Sequence, residues 1–193
     1  MFLEEKIYSI FDENVIAFFS SRDPYFEFSN MAANFPIRYK GQTWRSTEHL
    51  YQASKYSKEA MCVPESNSDA DPFVRQRIFN SNNAMGAKMT QKCAVKAGLV
   101  RADWNDVSVR NMKYVLQLKL QQHKNTFGKV LLSTGDKVIV EKSRKDPFWG
   151  AVPYMITMLK GSNVLGQLLT AVRDDYDAIV RGDFDEPELF MID

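Results

Sequence analysis

Apolar and polar positions follow two periods along this chain, and the change from one to the other marks most of its elements. Val15-Ile16-Ala17-Phe18-Phe19 is a run of β-branched and aromatic residues ended by Ser20-Ser21-Arg22-Asp23-Pro24, the pattern of a buried strand closed by a turn. Pro36-Ile37-Arg38-Tyr39 and Gln42-Thr43-Trp44 alternate around Lys40-Gly41, which predicts a hairpin. Val138-Ile139-Val140 predicts a third strand. Elsewhere the period is helical. Val109, Met112, Val115, Leu116, Lys119 and Leu120 recur on one side of a helix opened by Asp106, and Leu165, Leu168, Leu169, Val172 and Tyr176 on one capped by Asn163.

Shorter helices are predicted over residues 72–79, from a cap at Asn82 or Asn83 through 84–88 toward Ala97 with Gly98 as the stop, and as a turn over 129–133. Residues 57–71 hold Pro64 and the run Ser66-Asn67-Ser68-Asp69, and read as a surface loop. Three short strands and five or six helices without regular alternation predict an α+β fold, predominantly helical, with a small β-sheet or hairpin. A chain of 193 residues suits one core, so a single domain over 1–193 is expected, ending in an acidic tail over 174–193.

Between the hairpin and the loop lies Thr47-Glu48-His49-Leu50-Tyr51-Gln52-Ala53-Ser54-Lys55-Tyr56. It lacks Gly and Pro and opens with hydroxyls and an acid where a helix N-terminus favours them. At about 100° per residue, Glu48, Gln52 and Lys55 share one face with Tyr51 beside them, while Leu50 and Ala53 point away. A charged helix face is ordinarily solvated surface. Against that, Trp44, His49, Tyr51 and Tyr56 crowd the segment, and so much aromatic area is rarely left in water. A Glu and a Lys among aromatics would find partners and shifted pKa values.

Composition narrows the function classes. With 45% hydrophobic and 25% charged residues the chain is neither disordered nor membrane-like. Its net charge of +1 supplies no basic stripe for nucleic acid. Lys and Arg do concentrate over residues 75–145, which is either solvated surface or the neighbourhood of a phosphate-bearing ligand. Cys62 and Cys93 lack CxxC spacing and read as free thiols in a reducing compartment. His49 and His123 are the only histidines, so no metal site is expected, and no GxxxxGK[ST], GxGxxG or GxSxG motif calls for a cofactor. Glu4, Glu5 and Lys6 stand where a signal peptide would be apolar, and the expected location is the cytoplasm.

Seven pieces of the chain, in one order, carry a stronger signal. Phe28-Ser29-Asn30 is followed by Trp44 with Thr47-Glu48-His49, Tyr51-Gln52-Ala53 and Lys55. Then come Asp103-Trp104, Arg110 and Met112, Leu131-Leu132, and Thr134-Gly135-Asp136. Glu141, Ser143, Asp146 and Trp149-Gly150 precede Gly161, Asn163, Leu165-Gly166, Leu169 and Arg173. Together, from about Phe18 to Arg173, they resemble the NADAR family, also called YbiA-like.

The resemblance implies a small N-glycosidase with the YbiA-like fold. Its substrate classes are the phosphoribosyl-aminopyrimidine intermediates of riboflavin biosynthesis or, in other members, ADP-ribose attached to guanine in nucleic acid. The small molecule is the expected partner; ADP-ribosylated nucleic acid is the alternative, and no membrane is involved. A non-catalytic module binding a nucleotide or ADP-ribose is the reading from another class.

Breaking a C–N glycosidic bond passes through an oxocarbenium-like ribose, which needs negative charge near C1 and a hold on the leaving base. On the family's pattern Glu48 stabilises that cation or activates water. Lys55 either pairs with Glu48 and phosphate or, as a neutral amine, attacks C1 to form a Schiff base. Asp136 completes the catalytic candidates, and Asp146 is the other acid in a matching motif. Trp104 and Trp149 are expected to stack on the base unless they are core or corner tryptophans, and Trp44, Tyr51 and Gln52 to line the site. Asn30 binds ribose hydroxyls or caps a turn. Asn163 doubles as a helix cap, and Arg173 holds a phosphate or pairs with a carboxylate. This chain departs from the family at Trp149-Gly150-Ala151-Val152-Pro153, where a second Gly is usual, at Thr170 in place of Met, and in a longer 57–71 loop.

Overall fold

The computed structural model describes residues 4–65 and 67–191; Ser66 of the predicted loop and the ends of the chain lie outside the described residues. The chain divides into two compact units: a strand-rich one of residues 1–29 with 120–184, and a helical one of 30–119 with 185–193.

The strand-rich unit contains β1 (Lys6–Ser9), β2 (Val15–Phe18), β5 (Val138–Glu141), β6 (Val152–Met155) and β7 (Met158–Gly161), with helices α6 (Lys129–Ser133), α7 (Val164–Asp174) and α8 (Tyr176–Arg181). The predicted strands at 15–19 and 138–140 are β2 and β5, which pair in parallel with Ile16 opposite Ile139. β1, β7 and β6 form an antiparallel sheet in that order. The sequence pattern misses this sheet because Pro153 breaks β6 as a strand signal. Its place at the sheet edge, with a register shift between Pro153 and Met155, is where proline is tolerated.

Helix α7 packs on β5 and buries Leu165, Leu168, Leu169 and Val172 beside Ile139 and Val140. Each such side chain contributes roughly 1.5–3 kcal/mol of burial. The approach is closer than a side chain permits: a Cβ on Gly166 would lie 2.0 Å from the Ile139 carbonyl oxygen. Tyr176 begins α8 rather than ending α7, so the first part of the acidic tail is helical.

The helical unit contains the predicted hairpin, β3 (Ile37–Tyr39) and β4 (Gln42–Trp44), with Tyr39 opposite Gln42. Lys40 (φ 45°) and Gly41 (φ 77°) both take the left-handed conformation that a two-residue turn of this twist requires. α1 (Thr47–Ala53), α2 (Val74–Asn80) and α3 (Ala84–Thr90) pack on one another. The helix expected from 84 to 97 breaks at Gln91, after which α4 (Lys92–Lys96) begins. α5 (Trp104–Gln122) starts at Trp104 rather than Asp106, and the chain passes between the units inside it. Among the described residues no helix is long and apolar enough to cross a membrane.

The cysteine reading is corrected: Cys62 and Cys93 are bonded to each other, with Cα atoms 6.3 Å apart. Their spacing hid this because the pair is created by the loop after α1 folding back on α4. Arg77, 7% exposed, holds that loop, its guanidinium donating to the carbonyls of Cys62 (2.5 Å), Asp71 (2.6 Å) and Pro72 (3.1 Å). The described residues of the 57–71 segment form no helix or strand, and Arg77 pins them at Cys62 and Asp71.

Candidate active site

α1 is buried along its whole length, Glu48 included at 5% exposed, so its polar face is no solvated edge. The helix is fastened at its start. Ser46 is the N-cap, and the Asn30 carbonyl accepts from the Glu48 N–H (3.2 Å) and the Thr47 hydroxyl (3.3 Å). His49 Nε2 lies 3.1 Å from the Ser81 carbonyl, which can only accept, so Nε2 carries the proton and Nδ1 accepts from Ser46 Oγ at 2.8 Å. Burial lowers the His49 pKa, in keeping with that neutral ring.

Glu48 and Gln52, four residues apart, meet directly: Gln52 Nε2 donates to Glu48 Oε1 at 2.6 Å. Lys55 lies beyond the helix end, in the turn after Ala53, and its backbone is held on both sides. Its N–H donates to the Gln52 carbonyl (3.3 Å) and its own carbonyl accepts from the Arg101 N–H (2.9 Å). The Lys55 amine points into a wedge of two aromatic rings, 5.7 Å from the Tyr51 centroid and 5.3 Å from that of Trp104, which are themselves 5.2 Å apart. Burial pushes the Lys55 pKa down to about 8. The negative charge of Glu48 opposes that shift and the positive charge of Lys88 adds to it. An amine in that range is a usable nucleophile near neutral pH.

Trp104 reaches the wedge because α5 starts where it does. The Arg101 guanidinium grips Asp103 through Nε (2.5 Å) and a second nitrogen (2.7 Å) and holds the Leu189 carbonyl (2.6 Å). The Asp103 carbonyl accepts the N–H of Val107 at 3.1 Å, opening the helix. The bonds from Arg101 hold the Asp103 carboxyl below its usual range.

Asn30, also expected at the site, donates from Nδ2 to Met112 Sδ (2.9 Å), and its buried Oδ1 has no hydrogen-bond partner. Trp44 stands edge-on to Phe79, centroids 5.1 Å apart, and lines a cavity of about 280 Å³ with Phe73, Lys58 and Arg75.

The remaining candidates lie in the strand-rich unit, where Asp146, Trp149, Asn163 and Arg173 have local partners. Asp146 Oδ1 accepts the N–H groups of Phe148 (3.1 Å) and Trp149 (2.9 Å), and Trp149 stands edge-on to Phe148. Asn163, left-handed at φ 50°, clips α7 to β5: its Nδ2 donates to the Ile139 carbonyl (2.8 Å) and its Oδ1 accepts the Glu141 N–H (3.0 Å). Arg173 donates to Thr134 Oγ1 (2.8 Å) and the Lys137 carbonyl (3.0 Å). Asp136 is exposed on the turn after α6.

Sequence reasoning missed Gln91, Lys88, Arg101 and Asn111. Asn111 alone left a signal, a polar residue inside the apolar period of α5. It is fully buried, with Nδ2 3.4 Å from Ser54 Oγ.

In a mixed α/β fold, a buried carboxylate thus lies within electrostatic reach of a lysine amine that faces two aromatic rings. The model of the NADAR domain matches residues 17–176, and the chain belongs to the NADAR family. It is 30% identical over 170 residues to the N-glycosidase YbiA of Escherichia coli (strain K12), covering 88% of this chain and 93% of that one. A riboflavin biosynthesis protein of Vibrio vulnificus is 30% identical over 146 residues, 74% of this chain and 34% of its own length. The fold is similar to the NMR structure of E. coli YbiA, with a TM-score of 0.64 and 29% identity over 90% of each chain.

Proposed function

We propose that this chain hydrolyses the bond between ribose C1 and nitrogen in a phosphoribosyl-aminopyrimidine of the kind formed early in riboflavin biosynthesis. Its class, a hydrolase of N-glycosyl bonds, rests on family membership and on relatives named N-glycosidase. The pyrimidine substrate is supported by relatives named for riboflavin biosynthesis. The net charge of +1 and the acidic tail over 174–193 weigh against nucleic acid.

The observation that carries the reading is the Lys55 amine, at a pKa of about 8 between Tyr51 and Trp104, within electrostatic reach of buried Glu48. In the proposed course the neutral amine attacks C1 as the C1–N bond to the base breaks. The proton lost from the amine goes to the departing nitrogen. Opening of the ribose ring gives an imine between Lys55 and C1, and addition of one water releases the free sugar phosphate and restores the amine. Glu48 supplies the negative charge that stabilises the positive carbon in both halves. Asn30 Oδ1, a buried acceptor without a hydrogen-bond partner, is assigned to a ribose hydroxyl, and Trp104 is the platform for the base.

Incubation with a phosphoribosyl-aminopyrimidine and, separately, with ADP-ribosylated guanine tests this by chromatography. Release of ribose 5-phosphate from the first supports the proposal. Release of ADP-ribose from the second alone transfers it to the nucleic-acid reading. No release from either, with ligand still raising the melting temperature, leaves a binding module.

A further inference from the structure

Behind Glu48 runs a line of hydrogen bonds through four side chains, each at most 7% exposed: Tyr56, Gln91, Gln52 and Glu48. The Tyr56 hydroxyl bonds to Gln91 Oε1, Gln91 Nε2 to Gln52 Oε1 at 2.6 Å, and Gln52 Nε2 to Glu48 Oε1 at 2.6 Å. The chemistry of the last member fixes the direction of the whole line. A carboxylate only accepts, so Gln52 must turn its NH2 toward Glu48 and its oxygen toward Gln91. Gln91 must then present NH2 to Gln52 and oxygen to Tyr56, and Tyr56 must donate. A reversed amide anywhere would set oxygen against oxygen, and in a buried line such a mismatch is costly.

Gln91 reaches this place because the chain breaks between α3 and α4 at that residue. Cys93, two residues on, is tied to Cys62, which fixes the backbone just beyond it.

We propose that Gln91 and Tyr56 are positioning residues for Glu48: acting through Gln52, they hold the carboxylate as a pure acceptor in one orientation, with its second oxygen, Oε2, directed to the substrate. This rests on the reading of Glu48 as the acidic group of the glycosidase site. Neither residue touches substrate. Their effect falls on the rate of the chemical step rather than on ligand binding, because the charge they aim is needed most when C1 is positive.

Two measurements test this. Gln91→Glu keeps the shape and the acceptor for Tyr56 but cannot donate to Gln52. The Gln52 NH2 is drawn away and its oxygen turned on Glu48. The expected result on a phosphoribosyl-aminopyrimidine is a kcat lowered about 100-fold with KM within about two-fold. Gln91→Met, which removes the bond without inverting the line, lowers kcat by about 10-fold, and stands in should the first variant fail to fold. A merely structural role predicts that both variants lower the melting temperature while kcat of the folded protein stays within two-fold of the parent. Either folded variant retaining kcat within two-fold of the parent overturns the proposal.

The second measurement needs no substrate. In 15N-labelled protein, Glu48→Gln is expected to move the side-chain amide resonances of Gln91 as well as those of Gln52, and unmoved Gln91 resonances overturn the proposal. Should the parent protein turn over neither substrate class, the glycosidase reading fails, and the amide resonances still decide the line of hydrogen bonds.

Discussion

Arg173 and Lys55 are both basic residues singled out by motif, both largely withdrawn from water, and they are used differently. The Arg173 side chain, 9% exposed in the strand-rich unit, gives hydrogen bonds to Thr134 and Lys137 and fixes the turn between α6 and β5. Asn163 and Asp146 resemble it, each closing a specific backbone gap. The Lys55 amine, in the helical unit, faces the rings of Tyr51 and Trp104, where burial lowers its pKa to about 8. Glu48, within electrostatic reach of that amine, accepts an N–H from the Gln52 amide. Arg173, Asn163 and Asp146 spend their polar atoms on the fold, whereas Glu48 and Lys55 are, on the reading proposed above, an acid and an amine held for a substrate. A motif residue marks chemistry when its polar atoms keep capacity after the fold has been satisfied.

Four substitutions separate the two regions experimentally. Glu48→Gln retains a partner for Gln52 but loses the charge, so turnover falls by about 10³-fold or more while the melting temperature holds within a few degrees; kinetics and calorimetry on the same sample check both halves. Gly166→Ala acts in the opposite sense. Its methyl would meet the Ile139 carbonyl at 2.0 Å, and denaturant unfolding should show a loss of about 3 kcal/mol or more. Trp104→Leu removes one wall of the wedge, so the Lys55 pKa climbs from about 8 back toward 10.5. At pH 7.5 the rate drops by about ten-fold and the rising limb of the pH–rate profile moves to higher pH. Arg173→Met costs about 1–2 kcal/mol of stability with KM unchanged; a raised KM would instead assign Arg173 to the phosphate.

The smallest effect concerns stability alone. With a folded pKa near 8 and an unfolded one of 10.5, Lys55 burdens the fold at every pH below about 8 and releases that burden as pH rises toward 10.5. Lys55→Met should therefore raise the melting temperature slightly at pH 7, and the gain should vanish by about pH 10. An unchanged difference across that range would mean that the amine is not desolvated.

What the sequence pattern exposes in this chain is local. β2, β5, the hairpin, α5 and α7 follow from their periods, and the Glu48–Gln52 contact from a spacing of four on a helix. The Asp103-Trp104 motif was visible, but nothing in it announces that Arg101 sets the start of α5 or that Trp104 meets Tyr51 from far along the chain. Gln91 was illegible because a break between two short helices carries no amphipathic signal. The Cys62–Cys93 bond was illegible because its spacing matches no motif. Long-range pairing of polar groups is where periodicity stops being informative.

Reduction with borohydride during turnover, followed by peptide mass spectrometry, decides whether Lys55 bonds to the sugar. The imine route predicts a pentose phosphate adduct on the peptide carrying Lys55, lost in Lys55→Met. Release of ribose 5-phosphate with that peptide unmodified, or with the adduct on another residue, would contradict it.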